Sequence, residues 1–295
     1  MRILVLGSTG FLGRLLVEEL RRGEHVVACW ARTAEERPDL GSRRVDLSGT
    51  HDLPVPDAPW DAAVLLAGPS VPARFRAPIE GAETVRIAER ALVHLARHAR
   101  GARVIVVSSA HVLTPALDAI DENALVSPSG DYGAAKAAVE GLARSFVGDL
   151  DVIVARLFGS LGPDLPRGLF VPDLLERLRR RESPVRLAGP DAVRDLTDGR
   201  DVARALRGLL MMPRGTEGTF HVGTGRALRL SDLAQRLARE IGAASQVEFA
   251  PGEGPAWIAD ASRLRARIGW IPHHELAATI AWTARGSELA SRAAP

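Results

Sequence analysis

Short, continuously apolar runs alternate with stretches of helical periodicity through the first half of the chain. Arg2 to Leu6 reads as a strand, and Leu15, Leu16, Val17 and Leu20 then recur at helical spacing as far as Gly23. Val26 to Trp30 is a second strand, Ala62 to Ala67 (AAVLLA) a third, and Val104 to Val107 (VIVV) a fourth that runs into Ser108 and Ser109. Val152 to Leu157 is a fifth. A long amphipathic helix, Glu83 to Arg100, separates the third and fourth strands. A loop with Pro115 and Pro128 and a helix from Tyr132 to Val147 separate the fourth and fifth. Strands that are apolar on both faces belong to parallel sheets covered on both sides. The predicted fold class is therefore α/β, with a doubly wound parallel sheet.

The texture changes after Arg156. Gly159, Gly162, Pro163, Pro166 and Gly168 mark a loop, Pro172 to Arg181 reads as a helix, and Arg186 to Leu196 as loop and extended chain. Asp198 to Leu210 is a helix and Gly218 to Val222 a short strand. Ser231 is expected to cap a helix running to Ile241, and short helices lie near Asp260 to Ile268 and Glu275 to Trp282. The chain divides into a sheet domain, residues 1–158 with 197–225, and a smaller C-terminal α+β lobe, residues 159–196 with 226–295.

Composition narrows the class without choosing a function. Hydrophobic residues make up 46% and charged residues 25% of the 295 residues, ordinary values for a globular chain. The net charge of +2 and the dispersed arginines do not point to nucleic acid, and the run Arg179 to Arg181 reads as a solvated helix face. A single cysteine, Cys29, excludes internal disulfides and cysteine-based zinc sites, and no metal is expected. No apolar run reaches the length of a membrane span, and the N-terminus enters a strand at once; a cytoplasmic protein is expected.

Two stretches carry chemistry. Gly7, Gly10 and Gly13 follow the first strand and open a helix, where the backbone N–H groups and the helix dipole can hold a dinucleotide pyrophosphate. The spacing is GxxGxxG. No acidic residue ends the second strand to bind a ribose hydroxyl; Arg32 stands there instead, and a guanidinium suits a 2′-phosphate, which favours NADP(H) with NAD(H) possible. The second stretch is DYGAAKAAVE, Asp131 to Glu140. It holds the chain's one tyrosine, Tyr132, and its one lysine, Lys136, a helical turn apart on one face. A cation beside a phenol favours the phenolate, so this pair can serve acid/base chemistry at a carbonyl or alcohol oxygen.

Taken in order, these segments resemble the extended short-chain dehydrogenase/reductase superfamily, and within it the NAD(P)-dependent epimerase/dehydratase family. GSTGFLG is similar to the family's TGxxGxxG loop, VVSSAHVL (Val106 to Leu113) to its serine motif, and YGAAK to its YxxxK motif. RLFGSLGP (Arg156 to Pro163) is similar to its RPFNVYGP segment, and RDLTDGRDVARAL (Arg194 to Leu206) to its RDFxxVxDVAxA segment. The resemblance implies a Rossmann-type sheet domain, with Ser109, Tyr132 and Lys136 as catalytic residues. It implies cofactor contacts from Gly7, Thr9, Gly10, Phe11, Leu12, Gly13, Arg32, Asp46, Leu47, Leu66, Ala67 and Gly68, joined by Tyr132 and Lys136. It places Ser109, Gly159 and Arg194 at the substrate, a nucleotide-linked sugar, and implies a homodimer built on the helices of residues 83–100 and 132–147.

Departures from the family pattern narrow the reaction. Ala110 and His111 stand where dehydratases of the family carry an acidic pair after the catalytic serine or threonine, so a 4,6-dehydratase is not expected. Gly159 replaces an asparagine of the RPFNVYGP segment, and Leu113 the tyrosine that usually ends the serine motif. The expected activity is reduction of the 4-keto group of an NDP-(deoxy)sugar, with Tyr132 as general acid. The alternatives are a nucleotide-sugar 4-epimerase, a reductase of a non-sugar ketone, and a non-catalytic NADP-binding protein. His111 and His221 are given no catalytic role.

Overall fold

The computed structural model describes residues 1–37, 41–128, 130–216, 218–243 and 246–286. In chain order the elements are β1 (Arg2–Leu6), α1 (Phe11–Arg22), β2 (Val26–Ala31), β3 (Ser42–Arg44), β4 (Ala62–Leu65), α2 (Pro78–His98), β5 (Arg103–Ser109), α3 (Gly130–Arg144), β6 (Asp151–Leu157) and β7 (Ser160–Leu161). There follow α4 (Phe170–Arg179), β8 (Val185–Arg194), β9 (Thr197–Asp198), α5 (Gly199–Leu210), β10 (Gly218–Val222), β11 (Leu228–Arg229), α6 (Leu230–Glu240), β12 (Val247–Trp257), α7 (Ser262–Ile268) and α8 (Leu276–Arg285). Seven strands form one parallel sheet in the order β10-β6-β5-β4-β1-β2-β3. The order reverses between β1 and β4, the place in such sheets where ligands bind.

Strand alternation divides the core into two layers. Ile3, Val5, Val64, Ile105 and Ile153 face one way, against Leu16 and Leu20 of α1 and Val202, Leu206 and Leu209 of α5. Leu4, Leu6, Ala63, Val104 and Val106 face the other way, against Leu92 and Leu95 of α2 and Val139 of α3. The central strands β1, β4, β5 and β6 therefore spend both faces on burial, which is why their runs are apolar. A third buried cluster brings together Leu174 and Leu178 of α4, Leu233 and Leu237 of α6, Val185 and Ile280. A fourth buried cluster contains Val112, Leu113, Phe158 and Trp257.

Several local expectations need correction. Helix α2 begins at Pro78, ahead of Glu83: proline is well placed at a helix start, and Glu80 accepts the Ala77 N–H at 3.1 Å. Ser231 is not the cap of α6; its N–H and hydroxyl donate to the Asp191 carboxylate at 3.0 and 2.7 Å. β3 is a polar three-residue strand that the hydrophobic pattern does not show. β12 pairs with β8 across three irregularities, so neither face keeps a clean alternation. Asp198, expected as the first helical residue, is instead the N-cap of α5 and accepts the Arg200 N–H at 2.9 Å.

Candidate active site

The glycine loop is held by its own tight packing. Gly7 has φ +91°, and its N–H donates to the Trp30 carbonyl at 2.7 Å. A Cβ on Gly7 would lie 2.7 Å from the Ala67 nitrogen, and one on Gly13 would lie 2.2 Å from the Gly7 oxygen. These positions admit no side chain, for packing reasons that precede any ligand. Helix α1 then starts with Gly10 as its N-cap, with no side-chain cap and no acid in the first turn. Its leading N–H groups and positive dipole end are left for an anion. These residues fit the pyrophosphate of a dinucleotide cofactor.

The other residues assigned to the cofactor occupy the same edge of the sheet. The Thr9 hydroxyl meets that of Thr33 at 2.9 Å, a neighbour the sequence reading missed. Phe11 is buried, and Cβ atoms on Gly162 or Gly199 would lie 2.6 and 2.5 Å from its ring, so its side chain locks the loop to the second half of the chain. Leu12 packs on the same core. Arg32 follows β2 and is exposed. Asp46 is exposed and accepts the hydroxyl and N–H of Ser48 at 2.7 and 2.9 Å; those bonds, with Arg32 adding its charge, hold its carboxyl below the usual range. Leu47 is buried beside it. Leu66, Ala67 and Gly68 leave β4 next to the loop, the Leu66 N–H donating to the Leu6 carbonyl at 2.9 Å.

Ser109, Tyr132 and Lys136 meet at the C-terminal end of β5. Ser109 ends the strand, with its Oγ 3.2 Å from His111 Nδ1 and accepting the His111 N–H at 3.3 Å. Ser108 does not compete for that place; its hydroxyl is buried and donates to Glu140 at 2.6 Å. Alternation along the strand sends the two serines to opposite faces. Helix α3 approaches closely because Gly133 lacks a side chain: a Cβ there would lie 2.1 Å from the His111 carbonyl oxygen. Lys136 Nζ donates to the Val107 carbonyl at 3.3 Å and lies 5.9 Å from the Tyr132 ring centroid.

Burial sets the charge states. It pushes the Tyr132 phenol up to about 12, with Ser109 pulling the other way. It brings Lys136 down to about 8, with the Glu140 carboxylate opposing. In the protein without ligand, burial therefore outweighs the lowering of the phenol by the ammonium that the sequence suggested. At neutral pH the pair is a neutral phenol beside an ammonium, which is a proton donor rather than a base.

An aromatic wall continues from the phenol into the lobe. Phe75 meets Tyr132 edge-on at 5.0 Å, His111 meets it at 5.5 Å, and His111 stacks on Trp257 at 4.9 Å. The Arg194 guanidinium lies 4.6 Å from the Trp257 ring centroid and donates to the carbonyls of Val193 and Pro255 at 2.8 and 2.6 Å. Among the described residues it has no carboxylate partner. Burial lowers it to about 10, and burial with the Arg194 charge brings His111 to about 4. Phe75 and Trp257 were not foreseen, since their approach depends on chain pairing far from the serine and tyrosine motifs. Gly159 contributes backbone alone: a Cβ there would meet Leu196 Cδ2 at 2.7 Å and the Asp195 oxygen at 2.8 Å.

Residues 3–223 match the model of the NAD dependent epimerase/dehydratase family. The chain belongs to that family. It is 27% identical to a dTDP-6-deoxy-L-talose 4-dehydrogenase (NAD(P)(+)) of Kitasatospora kifunensis, over 97% of this chain and 96% of that one. It is 26% identical to a dTDP-glucose 4,6-dehydratase of Streptomyces niveus, over 96% and 92%. A solved structure of MoeE5 in complex with UDP-glucuronic acid and NAD superposes with a TM-score of 0.84 at 26% identity, covering 97% of this chain and 98% of that one. Family membership makes this an enzyme of the epimerase/dehydratase type, with the large parallel sheet described above. Among the described residues no helix is long and apolar enough to cross a membrane.

Proposed function

We propose that the protein is an NADPH-dependent reductase of the 4-keto group of a nucleotide-linked deoxysugar. The carrying observation is the convergence of Ser109, Tyr132 and Lys136 at one strand end, followed by Ala110 and His111 instead of carboxylates. Elimination of water from a sugar needs a base and an acid besides the tyrosine; reduction needs only one proton donor. The phenol held protonated by burial is suited to donating that proton. The dehydrogenase relative acts, by its name, at carbon 4 of a dTDP-deoxysugar, which supports the same position here.

The bound nicotinamide cofactor supplies the hydride. Tyr132 Oη donates its proton to the oxygen of the reacting carbonyl, and the Ser109 hydroxyl steadies the same oxygen as charge develops on it. Lys136 stabilises the phenolate that remains. Arg194, with no carboxylate partner among the described residues, serves the substrate diphosphate in this reading, and Trp257 with His111 forms the wall against the sugar. The basic Arg32 at the end of β2 supports NADP over NAD.

The test is a panel of NDP-4-keto sugars assayed with NADPH and NADH, with product stereochemistry. Stoichiometric NADPH oxidation supports the reading. A cofactor that stays bound and is never consumed makes the protein a 4-epimerase instead. Tyr132→Phe should lower turnover by about 10²–10⁴-fold with NADPH affinity near wild type; equal turnover would remove Tyr132 from its role.

A further inference from the structure

The buried carboxylate behind the lysine has no part in the proton transfer itself. Glu140 lies one helical turn beyond Lys136 on α3 and is 0% exposed. Three elements converge on it. Ser108 of β5 donates to Oε1 at 2.6 Å, Arg156 of β6 donates through Nε at 2.9 Å and Nη2 at 2.8 Å, and Arg144 of α3 pairs with Oε2 at 3.1 Å from the solvent edge. An ion pair this deep stabilises a fold weakly compared with apolar packing, so its presence asks for another purpose.

We propose that Glu140 is a positioning residue for Lys136. It pins α3 against the ends of β5 and β6, so that Lys136 reaches the Val107 carbonyl, and its negative charge holds more of the lysine as ammonium against the desolvation of its site. The first part rests on the bonds to Ser108 and Arg156, which fix the helix relative to the strand carrying Ser109. The second rests on the spacing, which stacks residues i and i+4 on one face. The Glu140 carboxylate opposes the lowering of the Lys136 pKa by burial. The titratable and charged groups around the site are Tyr132 and Arg144 on the same helix, Arg156 on β6 and His221 on β10. His221 is buried, its Nδ1–H donates to the Ile120 carbonyl at 3.0 Å, and burial brings it down to about 4. Thus Arg156 and Arg144 are the cations that partly offset Glu140, and no second carboxylate among the described residues joins these bonds.

The inference takes the role of Lys136 proposed above, but its test does not need a substrate. Lys136 is the only lysine in the chain, so the side-chain amine resonance of the cofactor-free protein reports on it without assignment. Glu140→Gln should lower the lysine pKa by about one unit, an estimate from a charge one turn away at intermediate dielectric. The alkaline limb of the kcat/KM profile should move to lower pH by the same amount. Arg144→Gln, an exposed change that spares the fold, should move the lysine upward by a few tenths of a unit (roughly). A lysine pKa unmoved in both variants overturns the proposal. If Glu140→Gln does not fold, an Arg144→Gln lysine that stays at the wild-type value overturns it alone. Turnover that survives Tyr132→Phe while the lysine shifts as expected would defeat the reductase mechanism and leave the Glu140–Lys136 coupling standing.

Discussion

Tyr132 is the only tyrosine, so its ionisation can be read directly in the unliganded protein. The perturbation is alkaline pH. Burial shifts the phenol from 10.0 to about 12. At 1.36 kcal/mol per unit, this is about 3 kcal/mol of preference for the neutral phenol. The folded pKa lies above the unfolded one, so stability is full below pH 10 and falls between pH 10 and about 12 as the unfolded chain loses its proton first. The assay is tyrosinate absorbance against pH, with far-ultraviolet circular dichroism in parallel and Tyr132→Phe as the blank. At pH 11 roughly a tenth of the phenol should be ionised, against roughly nine-tenths for an ordinary tyrosine. Half-titration near pH 10 with unchanged dichroism would refute the reasoning and would mean that the phenol titrates as an ordinary exposed tyrosine.

Two further outcomes follow from the geometry. Gly13→Ala forces a methyl into the Gly7 carbonyl, which should cost on the order of 2–4 kcal/mol and abolish tight NADPH binding, measured as a lowered Tm and lost NADPH fluorescence enhancement; an unchanged Tm would contradict the packing described. His94, His111 and His221 are each held to about 4, mainly by burial, so their folded pKa lies below the ordinary 6.5. Stability should be full above pH 6.5 and fall towards pH 4, by on the order of 1–2 kcal/mol per ring at pH 5. Urea midpoints at pH 7 and pH 5 check this, and equal midpoints would refute it.

The periodic features of the fold were legible in the chain itself. Apolar runs such as the AAVL of β4 and the VIVV within β5 carry their own parallel-sheet signature, because both faces of these strands are buried. The glycine loop and the tyrosine–lysine spacing are equally local, since a backbone clash or a helical turn involves residues a few positions apart. Tertiary structure alone decided the rest. It chose Ser109 over Ser108 for the cleft, through a carboxylate 32 positions downstream of Ser108 that the sequence gives no reason to pair with it. It reversed the balance at the phenol, because desolvation depends on everything packed around Tyr132, whereas spacing reveals only its neighbour on the helix. It brought Trp257 and Arg194 to His111 through an irregular β8–β12 pairing whose periodicity is broken by bulges. The sequence by itself determined which groups could move a proton; their charge states, and the aromatic contacts around them, came from contacts between segments that no local pattern encodes.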